Sequence, residues 1–346
     1  MFESKGAWYM AKKTLRPNEL TEVLGREAFD KIGLATDMAQ WNEYRKKYDA
    51  VSRLEMVTDF PIQIDVELNP SCNLKCPQCP ISAESPSQKG PSTWTSLQEF
   101  SDWIPKAVAL GLRSLKLNYI NEPLIREDLP SFVAKAKEAG VLDVYLSTNG
   151  TLLSSSMSEQ LIDAGLSRIQ ISIDATTEET YEKMRPGGSL RKVQKNVFDL
   201  LEIRRQKNKN LPLIRVNFLD SKSNEHELAE FIRKWQGQVD QVGIQQFIQP
   251  PHEAGVISEE SSLKRHSHFR CSFPFKQLVI NSEKQILPCC TFWGEKLPLG
   301  EFSGIDSLQV AWTSEAMKRL RQVHKDGNYH LIEACRNCVR QLVAES

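Results

Sequence analysis

The chain has 346 residues, and its 44 basic and 44 acidic side chains leave a formal net charge of zero. That length exceeds one ordinary module and suits one large α/β domain with a smaller appendage. Without a basic excess, nucleic acid is excluded as an expected partner. No apolar run approaches the roughly 18–20 residues that span a bilayer, and the polar start of the chain has no signal-peptide pattern. We therefore expect a cytoplasmic protein.

The first 60 residues differ in pattern from the rest of the chain. Helical patterns at residues 18–32 and 38–51, with no strand pattern, predict an N-terminal helical extension over residues 1–60. From residue 62 to residue 68 apolar and polar side chains alternate strictly, which indicates a strand with one buried face.

Strand and helix patterns then alternate along the middle of the chain. Further strands are predicted at residues 114–119, 141–147, 168–174, 213–219 and 241–247. Helices are predicted at residues 97–110, 129–139, 156–164, 190–207 and 224–236. Strands that alternate with helices form a parallel sheet with right-handed crossovers. Because eight strands close a standard barrel, six predict a partial (β/α)6 TIM-like barrel over residues 61–250, with its ligand at the carboxyl ends of the strands.

The alternation of strand and helix patterns ends after this region. A polar linker at residues 250–268 precedes two short alternating runs, at 277–281 and 284–287, and a helix at 307–324. Five of the eight cysteines lie here. Residues 251–346 are therefore predicted to form a small cysteine-rich α+β domain.

The cysteines fall into two groups, a trio near residue 75 and five residues beyond residue 270. A cytoplasmic protein keeps its thiols reduced, and a disulfide framework would not leave the middle of the chain bare. Two separate metal centres would produce this distribution of cysteines.

The trio consists of Cys72, Cys76 and Cys79, in the loop after the first barrel strand. Thiolates alone favour zinc or an iron–sulfur cluster. A zinc knuckle completed by a distant histidine is one reading, and a cluster with one open iron is the other.

The Cys-x3-Cys-x2-Cys run after the first strand of a six-stranded sheet resembles the radical S-adenosylmethionine (SAM) superfamily. The resemblance implies that the trio holds a 4Fe–4S cluster whose open iron binds SAM. It also implies reductive cleavage of SAM to a 5′-deoxyadenosyl radical that abstracts a hydrogen atom.

Segments after the later strands extend this resemblance. Glu122-Pro123 stands where the superfamily usually has Gly-Gly-Glu-Pro, with Asn121 replacing the second glycine. The resemblance implies that Glu122 holds the amino group of SAM. Residues 147–150 and 172–185 match later motifs of the family. The implied SAM-binding residues are Asn121, Glu122, Thr148, Asn149, Ser172, Asp174 and Arg185.

Simpler roles stay open for some of these polar residues. Arg185 has the planar guanidinium that suits a carboxylate, and the alternative is a helix-surface arginine. Asp174 can instead cap the helix predicted over residues 176–183. Arg215 and Asn217, polar residues in an otherwise apolar strand, either line the cavity near SAM or substrate or face solvent.

The second cysteine group closes with Cys335 and Cys338, whose spacing is typical of metal sites. Together with a preceding hairpin, a Pro-Cys-Cys run and a Trp-containing helix, it resembles the twitch domain, a shortened relative of the SPASM domain. The resemblance implies one auxiliary 4Fe–4S cluster ligated by Cys271, Cys289, Cys335 and Cys338. A zinc ribbon is the alternative. Cys290 remains, either as a buried spacer or as a catalytic hydrogen donor to a substrate radical.

The reaction is implied only by the resemblance. Single-cluster twitch enzymes of the 2-deoxy-scyllo-inosamine dehydrogenase type act on a secondary alcohol, which implies a small polyhydroxylated substrate such as a sugar, nucleotide sugar or aminocyclitol. Dehydrogenation or epimerisation would be the outcome, and flavodoxin or ferredoxin the reducing partner. A peptide-modifying maturase is an alternative, although no strand pattern in residues 1–60 supports a leader-binding wing. A non-enzymatic zinc protein is another.

Overall fold

The computed structural model describes residues 21–83, 93–248 and 269–339 of the chain; the predicted linker at 250–268 lies outside these ranges. The strands are β1 (Thr21–Leu24), β2 (Gln63–Val66), β3 (Ser114–Lys116), β4 (Asp143–Thr148), β5 (Arg168–Ser172), β6 (Leu213–Asp220), β7 (Gln241–Gln246), β8 (Gln277–Ile280), β9 (Gln285–Leu287) and β10 (Gly300–Glu301). The helices are α1 (Asp30–Leu34), α2 (Met38–Ser52), α3 (Pro80–Ala83), α4 (Leu97–Leu110), α5 (Leu129–Glu138), α6 (Ser155–Asp163), α7 (Glu178–Met184), α8 (Leu190–Gln206), α9 (Leu228–Trp235), α10 (Phe273–Lys276), α11 (Ile305–Thr313), α12 (Glu315–Lys325) and α13 (Glu333–Val339).

The six predicted barrel strands are confirmed as β2 to β7. They are parallel, and each lies beside the next in chain order. The five predicted helices correspond to α4, α5, α6, α8 and α9, with boundaries that agree within four residues. Helix α7 matches the capped segment at 176–183. Its N-cap is Thr177, whose side chain accepts a hydrogen bond from the amide of Thr180. The alternative in which Asp174 caps this helix is therefore wrong.

The two faces of the barrel sheet have different chemistry. Ile64 and Val66 of β2, like the corresponding apolar residues of the other strands, pack with the helices in the main core. The alternate residues point the opposite way and are polar, because successive side chains of a strand face opposite sides. We call this second surface the polar face; it carries Gln63, Asp65, Tyr145, Gln170, Arg215 and Asn217, all of them buried.

The N-terminal extension packs against the beginnings of the barrel strands. Trp41 and Tyr44 of α2 share an apolar cluster with Ile62, Leu142 and Leu213, each of which lies at or just before the start of a strand. The extension therefore covers the amino ends of these strands and leaves the carboxyl ends free for a site. Its first described element is not helical as predicted: β1 is a strand, paired antiparallel with β7.

The C-terminal segment continues the barrel sheet. Strand β8 pairs parallel with β2, and β9 and β10 add to it antiparallel, so the full order is β1-β7-β6-β5-β4-β3-β2-β8-β9-β10. The single helix predicted at 307–324 is two helices. They are separated at Ser314, whose extended backbone ends α11 and whose hydroxyl accepts from the amide of Met317 to begin α12. Among the helices of the described ranges, none has the length and apolar character that crossing a membrane requires.

Candidate cluster and cofactor sites

The first cysteine trio lies in the loop that leaves the carboxyl end of β2. The amide of Cys79 donates to the carbonyl oxygen of Cys76 at 3.0 Å, which curls the loop. Burial raises the pKa of all three thiols, to about 12 for Cys79, and the charge of Cys76 raises the pKa of the other two further. Three thiols on one short loop suit the ligation of a shared cluster. Binding such a centre would release their protons.

Two spacer residues hold this loop to the rest of the barrel. Asn73 exchanges hydrogen bonds with the end of β4: its Oδ1 accepts from Asn149 Nδ2, and its Nδ2 donates to Thr151 Oγ1, both at 2.9 Å. Gln78 Nε2 donates to the carbonyl oxygen of Met184 at 3.0 Å. Sequence reasoning missed both residues, because nothing in the spacing of the cysteines distinguishes one spacer from another.

Glu122 is buried where β3 and β4 end. Its Oε1 accepts from Thr148 Oγ1 at 2.7 Å and from the amide of Leu124 at 3.0 Å, and its Oε2 accepts from the amide of Asn149 at 2.8 Å. Burial raises the pKa of this carboxyl although these donors oppose the shift. An ionised carboxylate has about four acceptor positions, so the three bonds leave room for one further donor. An ammonium group of a ligand would supply both that donor and a positive charge.

Asn121 precedes Glu122 and is also buried. Its backbone amide donates to Glu67 Oε1 at 3.1 Å, and its side-chain Oδ1 accepts from the amide of Tyr119 at 3.1 Å. The Nδ2 of Asn121 is buried without a partner. A buried donor without an acceptor is costly, which makes this atom available to a ligand.

Asp174 and Arg185, predicted together, form an ion pair. Arg185 Nε donates to Asp174 Oδ2 at 2.9 Å, and Asp174 Oδ1 accepts from the amide of Leu219 at 2.8 Å. Burial opposes the charge on Arg185, but the Asp174 carboxylate outweighs it and the pKa of Arg185 is raised. The Nη1 of Arg185 is 4.0 Å from Cys76 Sγ. The arginine therefore reaches the trio and is not a free surface side chain. Ser172, at the end of β5, is partly exposed.

The second group brings four cysteines around one cavity. Cys271, Cys289, Cys335 and Cys338 all line it, and its volume including the mouth is about 450 Å³. Burial raises the pKa of each thiol, to about 11 for Cys271 and Cys289. Within the described ranges, no three or more His, Cys, Asp or Glu side chains are gathered as ligands of a single metal ion. Four thiols spaced around a cavity fit a cluster of several irons.

Cys290 faces away from that cavity. Its thiol packs near Tyr119, Val279 and Leu287. Burial raises its pKa to about 12, and the next strongest influences are the charges of Asp65 and Lys116, which belong to β2 and β3. Consecutive residues thus point to opposite sides: Cys289 to the four-cysteine cavity and Cys290 to the polar face.

The two halves of the site match two known families. A sequence profile of the radical SAM superfamily matches residues 66–218, and the SPASM profile, an iron–sulfur cluster-binding domain, matches residues 271–339. Residues 66–218 therefore form a radical SAM domain and residues 271–339 a SPASM-type domain, as predicted. The first domain implies SAM and a 4Fe–4S cluster as cofactors, and the second implies auxiliary iron–sulfur. This favours a cluster over a zinc ribbon.

The curated relatives cover only part of the chain. A probable GTP 3′,8-cyclase of Methanococcus maripaludis is 31% identical over 154 residues, a match that covers 44% of this chain and 48% of the relative. The chain thus spans about half the length of the curated relatives it matches.

Solved structures match a larger share of this chain. BtrN, crystallised with AdoMet and 2-DOIA, has a TM-score of 0.51 and 17% identity over 81% of this chain and 94% of its own. Streptococcus suis SuiB, bound to the precursor peptide SuiA, has a TM-score of 0.55 and 16% identity over 80% of this chain and 70% of its own. At these identities the likeness is one of fold, and it confirms the predicted α/β class with a cysteine-rich C-terminal segment.

Proposed function

We propose that the protein is a radical SAM enzyme that removes a hydrogen atom from a small polyhydroxylated substrate, such as a sugar, nucleotide sugar or aminocyclitol, and gives dehydrogenation or epimerisation. The observation that carries the proposal is the polar face. Its amides, hydroxyls and charges lie beneath the carboxyl ends of the strands and suit a substrate rich in hydroxyl groups.

In this proposal the residues above the polar face hold the cofactors. Cys72, Cys76 and Cys79 would ligate the first cluster, while Glu122 would accept from the amino group of SAM and Arg185 would face its carboxylate or ribose. The remaining contacts with SAM are assigned to Asn121, Thr148, Asn149, Ser172 and Asp174. When bound, the cluster and SAM supply the 5′-deoxyadenosyl radical that abstracts the hydrogen atom.

The C-terminal segment would handle what remains on the substrate. Cys271, Cys289, Cys335 and Cys338 would close a fully ligated cluster, whose suitable task is electron transfer. Cys290 has a raised pKa of about 12 and so stays a neutral thiol at pH 7. A neutral thiol beside the polar face can donate a hydrogen atom to a substrate radical, which an epimerisation requires. The thiyl radical left on Cys290 would be restored to the thiol by one electron, supplied by the reducing partner through the second cluster, and one proton.

The proposal includes a reducing partner such as flavodoxin or ferredoxin, because the first cluster must receive an electron for each cleavage of SAM. Eight free cysteines suit a reducing compartment, and a cytoplasmic location is part of the proposal.

The test uses anaerobically prepared enzyme, SAM and reductant in deuterated water, with mass spectrometry of candidate sugars and aminocyclitols. An epimerase incorporates one deuterium at the reacting carbon, and Cys290→Ala abolishes that incorporation; a dehydrogenase gives a product two mass units lighter. The matched control is Cys290→Ser, which keeps the volume but binds its hydrogen too strongly to give it up. Continued deuterium uptake by Cys290→Ala would contradict the role of this thiol.

A further inference from the structure

One buried arginine on the polar face has no carboxylate partner. Arg215 is the third of the eight residues of β6 and is 8% exposed. Its Nη2 donates to Gln170 Oε1, but its Nε is buried without any hydrogen-bond partner. After burial, the strongest electrostatic influences on its guanidinium come from Arg168, Tyr145, Tyr48 and Arg26, none of which is a carboxylate.

Two other largely buried arginines of the barrel have carboxylate partners. Arg168 donates to both oxygens of Asp143, at 2.8 and 2.7 Å, and Arg185 has its pair with Asp174. A charge that is removed from water without a counter-charge is strongly unfavourable. Burial lowers the pKa of the Arg215 guanidinium to about 9, so the group is still charged at neutral pH. The fold therefore contains this unfavourable buried charge. An unpaired buried charge of this kind is typical of a ligand site.

The neighbouring residues place a second unpaired polar atom beside it. Asn217, two residues along β6, is 1% exposed, and its Oδ1 is buried without a donor. It stands opposite Gly243 of β7. A Cβ at Gly243 would clash with Asn217 Oδ1 and lie 3.3 Å from Arg215 Nε. The glycine therefore lets an unpaired donor and an unpaired acceptor lie side by side on the polar face.

We propose that the polar face binds an anionic substrate, and that Arg215 holds its oxyanion, a carboxylate or a phosphate, through the planar edge of its guanidinium. Asn217 accepts a hydrogen bond from a hydroxyl next to the anionic group. This rests on the proposed function and narrows it, because it selects acidic members of the polyhydroxylated class, such as sugar acids or sugar phosphates. The anion site is separate from the SAM site, since Arg215 precedes the carboxyl end of β6 by five residues.

The test measures binding of the two simplest oxyanions to the holoprotein, prepared anaerobically and saturated with SAM so that the SAM site is filled. Inorganic phosphate and acetate are titrated separately while chloride keeps the ionic strength constant, and the dissociation constant is taken from the rise in Tm. We expect at least one of the two anions to raise the Tm of the wild type, and the stronger one identifies the class of oxyanion. Arg215→Gln should weaken that binding at least about tenfold, as loss of a charge-assisted bond does.

Two variants make the result specific. Arg215→Lys keeps the positive charge but lacks the planar edge of the guanidinium, and should weaken binding less than Arg215→Gln does. Arg204→Gln removes another largely buried arginine, one that is paired with Asp240 near the amino ends of the strands, and should leave anion binding unchanged. A wild type that responds to neither anion, or an Arg215→Gln protein that responds as the wild type does, overturns the inference. Failure of the proposed function would appear separately, as absence of SAM cleavage, which this measurement does not need.

Discussion

At the scale of single residues, the side chains around the carboxyl ends of the strands are held in place with part of their bonding capacity unused. Glu122 is bonded to Thr148, Asn149 and Leu124 and still has an acceptor position left. Asn121 Nδ2 has no acceptor at all. Such groups are costly in a structural role alone, whereas in a binding site the ligand completes them.

Glu122→Gln tests the proposed contact with the amino group of SAM. The variant keeps the size of the side chain but removes its charge, so we expect the dissociation constant for SAM to rise by about 10- to 100-fold, as loss of a charge-assisted bond does. Equilibrium dialysis of the anaerobic holoprotein measures it. Asp240→Asn removes another buried carboxylate, which accepts from the amide of Ile214 near the amino end of β6, and serves as the control. Equal loss of SAM affinity in both variants would show that the effect is structural.

The two groups of cysteines predict the iron content of the protein. Two 4Fe–4S clusters give about eight irons per chain. Cys338→Ser removes one of the four thiols that line the second cavity and should reduce the content to about four irons. Cys290→Ser changes the adjacent thiol outside that cavity and should keep the wild-type iron content. Iron and sulfide analysis after anaerobic reconstitution measures both; loss of iron in Cys290→Ser would contradict the assignment.

At the scale of elements, the barrel could be predicted from the sequence because its strands alternate and its helices have clear caps. Strand β1 could not: its four residues are too short for a periodic signal, and it forms because β7 offers it an unpaired edge. The break at Ser314 carried a signal, a serine three residues before a buried methionine, which the continuous helical pattern on both sides outweighed.

One element depends on pH in a way that can be measured. Glu227, just before α9, accepts from Thr177 Oγ1 at 2.6 Å and from the Thr176 amide, and so holds the loop that begins α7. Burial would raise its pKa, but these donors lower it to about 2 from 4.5. A lowered pKa stabilises the fold above pH 4.5, and the stabilisation disappears as the pH falls toward 2.

Glu227→Gln should therefore lower the Tm at pH 7, and the difference from the wild type should shrink below pH 4.5. Thermal unfolding between pH 7 and pH 3 measures this. Glu179→Gln, which removes an exposed partner of Lys183 on α7, is the control and should have little effect. A difference that stays constant across the range would show that the charge of Glu227 does not hold the loop.

At the scale of the whole molecule, one continuous sheet joins the two sites. Strand β8 pairs with β2, so that Gln63 lies opposite Gln277 although 214 residues separate them. No local pattern reveals such a pairing, and the sequence therefore predicts a separate appendage. The pairing brings the Cys289-Cys290 peptide to the wall between the four-cysteine cavity and the polar face. An electron left on a substrate there would have a short path to the second cluster.

The most direct test of the central claim is the formation of 5′-deoxyadenosine from SAM by the reconstituted, dithionite-reduced protein. We predict that the wild type forms it and that Cys76→Ala, which removes the buried thiol of the first trio, does not. A wild type that carries about eight irons yet forms no 5′-deoxyadenosine, or a Cys76→Ala protein that forms it at the wild-type rate, would contradict the account.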